Sequence, residues 1–169
     1  MKLTSAEAAK LLRKLNENLN DLASMEAMSQ TFVAAVSEDP ETVRPEYDYA
    51  AVRAEEDAIA AKIRKLKHAI NVFNSTTVIP DWNITIDEML ILIPQLTRKK
   101  NTLQGMKSRL PKERVAAGMR TASNIIDYCY ANYDIKKAEA DYDVTADMLG
   151  RAQTALDLVN STVTFDFEF

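Results

Sequence analysis

The chain has 169 residues, enough for one domain with a real core and short for two. It is 47% hydrophobic and 27% charged, with three glycines and five prolines, which fits an ordered, helix-rich globular protein. A formal charge of -4 and a pI near 5.1 argue against a dedicated nucleic-acid binder, and the single cysteine, Cys129, excludes an internal disulfide and suits a reducing compartment.

Met1-Lys2-Leu3 leads straight into an amphipathic segment, with no apolar h-region and no small-residue cleavage site, so no secretory signal is expected. The longest aliphatic run covers only residues 89–93, far short of the roughly 20 residues of a membrane span. A cytoplasmic protein of bacterial type is expected.

Thr4-Ser5-Ala6-Glu7 has the spacing of a capping box, in which the Thr hydroxyl serves the Glu7 amide and the carboxylate reaches back. Behind it Leu12, Leu15, Leu19 and Leu22 follow at 3/4 spacing, so a first helix is predicted to about residue 28. Residues 30–36 are rich in β formers and predict a short strand, and residues 37–46, with Pro40 and Pro45 among acids, predict a loop. A second helix is expected from Tyr47, with Ile59, Ile63, Leu66, Ile70 and Phe73 as its seam. It stops at Asn74-Ser75-Thr76, where Asn tolerates the left-handed conformation and the hydroxyls serve freed carbonyls.

Residues 77–84, with Pro80 and Trp82, predict a strand or an extended crossing. A second capping box, Thr85-Ile86-Asp87-Glu88, opens a third helix whose seam is Met89, Ile93, Leu96, Leu103 and Leu110. That seam requires Lys100 and Lys107 at core-facing positions, and Pro94 should kink the helix. Residues 112–122, with Gly118, are expected to form a loop, and residues 124–133 a strand. Asp134 then caps a fourth helix with Ile135, Ala138, Tyr142, Thr145, Leu149, Ala152, Leu156 and Val159 as seam, small residues and Gly150 implying a close helix neighbour. Asn160-Ser161-Thr162 repeats the earlier stop. In the tail, Val163, Phe165, Phe167 and Phe169 alternate with polar residues, the pattern of a strand that must find a partner.

Together these features predict a mainly α fold: an antiparallel four-helix bundle of long helical hairpins with a minor β element. One domain covers residues 1–169, with residues 4–84 and 85–169 as two pseudo-repeated halves. The order of features resembles a bacterial family of unassigned activity labelled septicolysin-like. The shared marks are Met1-Lys2-Leu3 before an Ala/Leu-rich helix, an acidic Pro-containing loop (Ser37-Glu38-Asp39-Pro40-Glu41), an Asn/Thr-rich turn after the second helix and a Thr cap on the third. The tail departs from that family, which tends to carry Trp beside the final Asn where this chain has Ser161 and an aromatic strand. The resemblance implies a fold. It brings no catalytic residues with it.

Motifs for chemistry are missing from the sequence. His68 is the only histidine and Lys65 stands where a Glu-x-x-His pair needs Glu, so a di-iron bundle is excluded. The acids Asp141, Asp143 and Asp147, and Glu55, Glu56 and Asp57, read as solvated faces. Cys129 between Tyr128 and Tyr130 reads as a buried small hydrophobe. The scattered glycines form no nucleophile elbow, P-loop or dinucleotide fingerprint. No catalytic, cofactor-binding or metal-binding residue is assigned, and no cofactor is expected.

Two interaction readings remain. A non-enzymatic structural or interaction protein would form a homo-oligomer through helical seams and the C-terminal strand, with Phe165, Phe167 and Phe169 as contacts. Alternatively Arg98, Lys99, Lys100, Lys107, Arg109, Lys112, Arg114 and Arg120, opposed only by Glu113, would bind nucleic acid or another polyanion. The first is the expected function. An enzyme assembled from acids and tyrosines between subunits comes third.

Overall fold

The computed structural model of the chain describes residues 1–115 and 127–169. In chain order the elements are β1 (Lys2–Thr4), α1 (Ser5–Ser29), α2 (Pro40–Val43), α3 (Tyr49–Thr76), β2 (Val78–Ile79), β3 (Ile84–Thr85), α4 (Ile86–Lys107), β4 (Lys112–Arg114), β5 (Tyr128–Tyr130), α5 (Ile135–Thr162) and β6 (Thr164–Asp166). The fold is mainly α with a small antiparallel β component, as the sequence predicts. Contacts divide it into two compact units, Met1–Thr77 with Leu158–Phe169, and Val78–Asp157. This division cuts across the two sequence halves, because the C-terminal strand returns to the N-terminal one.

In the first unit, α1 and α3 form an antiparallel hairpin. Thr4 caps α1 through the full capping box, its hydroxyl accepting from the Glu7 amide while Glu7 accepts from the Thr4 amide at 2.8 Å. Ala8, Leu15, Ile59, Ile63 and Leu66 form the core, with Leu12, Leu19, Leu22 and Ile70 packed against it. Each fully buried aliphatic side chain contributes about 1.5–3 kcal/mol, so this seam holds the hairpin. At its far end Glu26 accepts from the Tyr47 hydroxyl at 2.7 Å and pairs with Arg53, which also pairs with Glu56.

β6 pairs antiparallel with β1, setting Leu3 opposite Phe165 and Lys2 opposite Asp166. The two chain ends are tied further by hydrogen bonds from the Met1 ammonium to the Phe167 carbonyl and from the Phe167 amide to the Met1 carbonyl. Phe165 stacks obliquely on Phe73, ring centroids 4.9 Å apart, and Phe167 is buried in the hairpin core. The strand therefore finds its partner within the chain.

In the second unit, β2 and β3 form a hairpin around Pro80-Asp81-Trp82-Asn83. Ile79 and Ile84 are paired, Trp82 donates to the Ile79 carbonyl, and Asp81 and Asn83 take positive φ of 65° and 51°. Asp and Asn are the side chains best suited to that conformation. The expected crossing is thus a tight turn that delivers Thr85 as the capping box of α4. Ile86, Met89 and Leu96 are buried on α4, and Lys100 and Lys107 are half-buried on the same seam, as its spacing requires. Leu110, beyond the helix end, is exposed and leaves the seam. Asp134 caps α5 by accepting from the Lys136 and Lys137 amides. On α5 the seam residues Ala138, Thr145, Leu149, Ala152 and Leu156 are buried, as is Val159 on the last turns of the helix, which belong to the first unit; the Thr145 hydroxyl is satisfied by the Asp141 carbonyl.

Several expectations are corrected. Residues 31–35 form neither helix nor strand: their β formers meet no partner strand, and Val33 and Val36 are exposed. The acidic loop contains α2, one turn capped by Asp39 with Pro40 at its first position. The expected loop after Pro111 begins as β4, paired with β5 so that Glu113 faces Cys129; Gly118 and residues 124–126 lie outside the described residues. Cys129 is exposed, not buried. Gly150 has nothing within 4 Å of where a Cβ would sit, so it marks no close helix approach. The helix stops also work differently. Asn74 and Asn160 stay helical, while Ser75 and Thr76 donate to the Val72 carbonyl, and Ser161 and Thr162 to the Leu158 carbonyl.

Candidate interaction surfaces

The basic residues sit on two elements and the link between them. Arg98, Lys99, Lys100 and Lys107 belong to α4, Arg109 follows it, and Lys112 and Arg114 form the ends of β4; Arg120 lies outside the described residues. Successive helical residues point about 100° apart, so Arg98, Lys99 and Lys100 are spread around α4. The chain does not gather all of them into one patch. Arg98 borders a shallow groove along α4 with Ile93, Pro94, Thr97, Asn101 and Thr102. Lys107 lies over the Tyr142 ring at 3.7 Å, which, with the Tyr133 hydroxyl donating to the Met106 carbonyl, sets the end of α4 beside the start of α5.

β4 and β5 do build a local cluster. Lys112 faces Tyr130 and Arg114 faces Tyr128 in register, so the period-2 alternation puts both cations and both rings on one face. The Lys112 ammonium lies 4.0 Å from the Tyr128 ring centre and 5.4 Å from that of Tyr130. All four residues are exposed. Among the described residues, none of Arg98, Lys99, Lys100, Lys107, Arg109, Lys112 and Arg114 enters an ion pair. The acids at 37–57 pair close to home instead, Glu41 with Arg44 and Glu56 with Arg53. The Tyr47 hydrogen bond, ahead of the Arg53 pair, also holds the Glu26 carboxyl below the ordinary glutamate range.

Of the three tail phenylalanines, Phe165 and Phe167 face their own core, and only Phe169 is largely exposed. It packs edge-on against Phe167, with the Lys62 ammonium 5.9 Å from its ring. What remains of β6 for another molecule is its outer edge.

Two surfaces escaped the reading of the sequence. The first is a second stripe on α5: Val144, Met148, Arg151, Ala155 and Leu158 follow at spacings of 4, 3, 4 and 3, the rhythm of a helical seam. Val144 is 69% exposed, Met148 40% and Leu158 60%. Helical spacing sets Asp141 and Asp147 on either side of it. The second is a groove in the α1–α3 hairpin, floored by Leu19, Ala60 and Ile63 and rimmed by Arg64, Lys67 and His68 with the amides Asn16 and Asn71. No acid lines it. The α5 stripe was present in the spacing; the groove needed the pairing of two helices to exist. Among the described residues there is no group of three His, Cys, Asp or Glu that could hold a metal ion, and no helix is long and apolar enough to cross a membrane.

No family model and no curated protein matches the chain. A solved structure of a functionally unknown conserved protein from Corynebacterium diphtheriae is similar, with a TM-score of 0.60 at 16% identity, covering 98% of this chain and 100% of that one. At that identity the likeness is one of fold.

Proposed function

We propose that this protein is a non-enzymatic structural or interaction protein that associates with copies of itself. The observation that carries the reading is the second seam of α5. That helix already buries one complete stripe, from Ala138 to Val159, yet keeps Val144, Met148 and Leu158 in water at seam spacing. A helix with a second face that is apolar apart from Arg151 is suited to two neighbours. The outer edge of β6 adds a lesser surface of the same kind, a strand edge open to augmentation. A cytoplasmic setting belongs to the same proposal, as does kinship with the septicolysin-like family, for which the order of elements is the support.

Light scattering on a Val144→Glu/Leu158→Glu variant tests it. Both positions are exposed, so the variant should keep its helicity by circular dichroism while losing the mass of the assembled chain and falling to 19.0 kDa. An assembled mass unchanged by two buried carboxylates would contradict the role of the stripe.

A second reading is favoured by one specific observation, the exposed face of Lys112, Arg114, Tyr128 and Tyr130. Cations interleaved with rings suit a single-stranded polyanion, charge holding the backbone and rings taking bases. Retention on heparin that falls steeply with added salt would support it, and flow-through at low salt would exclude it.

A further inference from the structure

We infer that the groove of the α1–α3 hairpin is the receptor for the second stripe of α5 from another copy of the chain. This rests on the self-association proposed above and names the two surfaces that meet.

The groove and the stripe match in shape class and in charge. Two helices side by side leave a trough that a third helix fills, apolar side chains down the middle and polar ones at the rim. Here Leu19, Ala60 and Ile63 supply the floor, and Val144, Met148 and Leu158 are the side chains without a floor of their own. The rim of the groove is cationic, Arg64 and Lys67 standing one turn apart with His68 beside them. The borders of the stripe are anionic, Asp141 preceding Val144 by three positions and Asp147 following it by three, with Arg151 as the one cation among the five stripe positions. None of Arg64, Lys67, Asp141 and Asp147 enters an ion pair among the described residues. A partner of basic or neutral surface would leave this rim unmatched, whereas a second copy carries the complementary acids on an unpartnered seam. Since the two patches differ, the contact is heterologous: every copy offers one donor and one receptor, and association closes into a ring or grows along a line.

The test exchanges the charges. In Arg64→Glu/Lys67→Glu the groove becomes acidic and opposes the acidic stripe; in Asp141→Lys/Asp147→Lys the stripe becomes basic and opposes the basic groove. Each variant alone juxtaposes like charges, which is strongly unfavourable at an interface. Each should sediment at 19.0 kDa. Mixed in equal amounts, the two present complementary partners again at both kinds of contact, and the assembled mass should return. All four positions are exposed, and recovery on mixing shows that both chains are folded. Retention of the full chain's mass by either variant alone overturns the inference, and so does a mixture that stays dissociated. Either result leaves self-association standing by another surface. An unmodified chain that never assembles overturns the proposed function itself.

Discussion

Thr4 and Thr85 do the same local work at the starts of α1 and α4. In each box the glutamate accepts from the threonine amide at 2.8 Å and the threonine hydroxyl accepts from the glutamate amide at 3.2 Å. The hydrogen bond from the threonine backbone, then that from its side chain, holds the Glu7 and Glu88 carboxyls below the ordinary glutamate range. A depressed folded-state value gives stability that is present above the unfolded value, about 4.3, and is lost as pH falls through the folded one. Melting temperature should therefore fall on acidification below about pH 4.3, and a Glu7→Gln/Glu88→Gln variant should show a shallower fall; an equal slope would deny the boxes that role. Thr85→Ala should cost about 1 kcal/mol in urea unfolding. At Gly150 the sign reverses. Gly150→Ala adds a methyl into open space in mid-helix, and should stabilise by about 0.5–1 kcal/mol.

The long helices were legible in the sequence because their information is local. Caps at Thr4, Thr85 and Asp134 and seams at 3/4 spacing lie within one stretch of chain, and they reappear in α1, α3, α4 and α5 within a few residues. The strands were legible only as propensity. β2, β3, β4 and β5 are two or three residues long, and pairing partners are set by tertiary structure, so residues 112–114 gave no strand signal while residues 30–36 gave one that found no partner. The same limit explains Cys129: alternation tells that Tyr128 and Tyr130 share a face, but not which face meets water. The stops at residues 74–76 and 160–162 were located correctly and explained wrongly: Asn74 and Asn160 stay helical, and α3 ends where Thr77 turns to extended backbone. The tail is where element pairing matters most. Phe167 joins the hairpin core from the far end of the chain, so Phe167→Ala should cost about 3–5 kcal/mol in urea unfolding. A cost under 1 kcal/mol would mean that the tail only rests on the hairpin.

At the scale of the whole molecule, the candidate site was half legible. The basic run was plain in the sequence, but the chain distributes it over α4, the following link and β4, and concentrates rings and cations only at Lys112, Arg114, Tyr128 and Tyr130. The tail phenylalanines, expected to meet another copy, turn largely inward. Besides the outer edge of β6, the surfaces proposed for a neighbour are the outer stripe of α5, whose spacing was in the sequence but whose exposure was not, and the groove of the α1–α3 hairpin, which exists only once two helices pair. Their opposite charge supports the proposal that copies of this chain associate through them. Sedimentation equilibrium of the full chain tests that claim most directly. The expected result is a mass that is a multiple of 19.0 kDa and rises with concentration through a reversible association; a single species of 19.0 kDa at every concentration would contradict it.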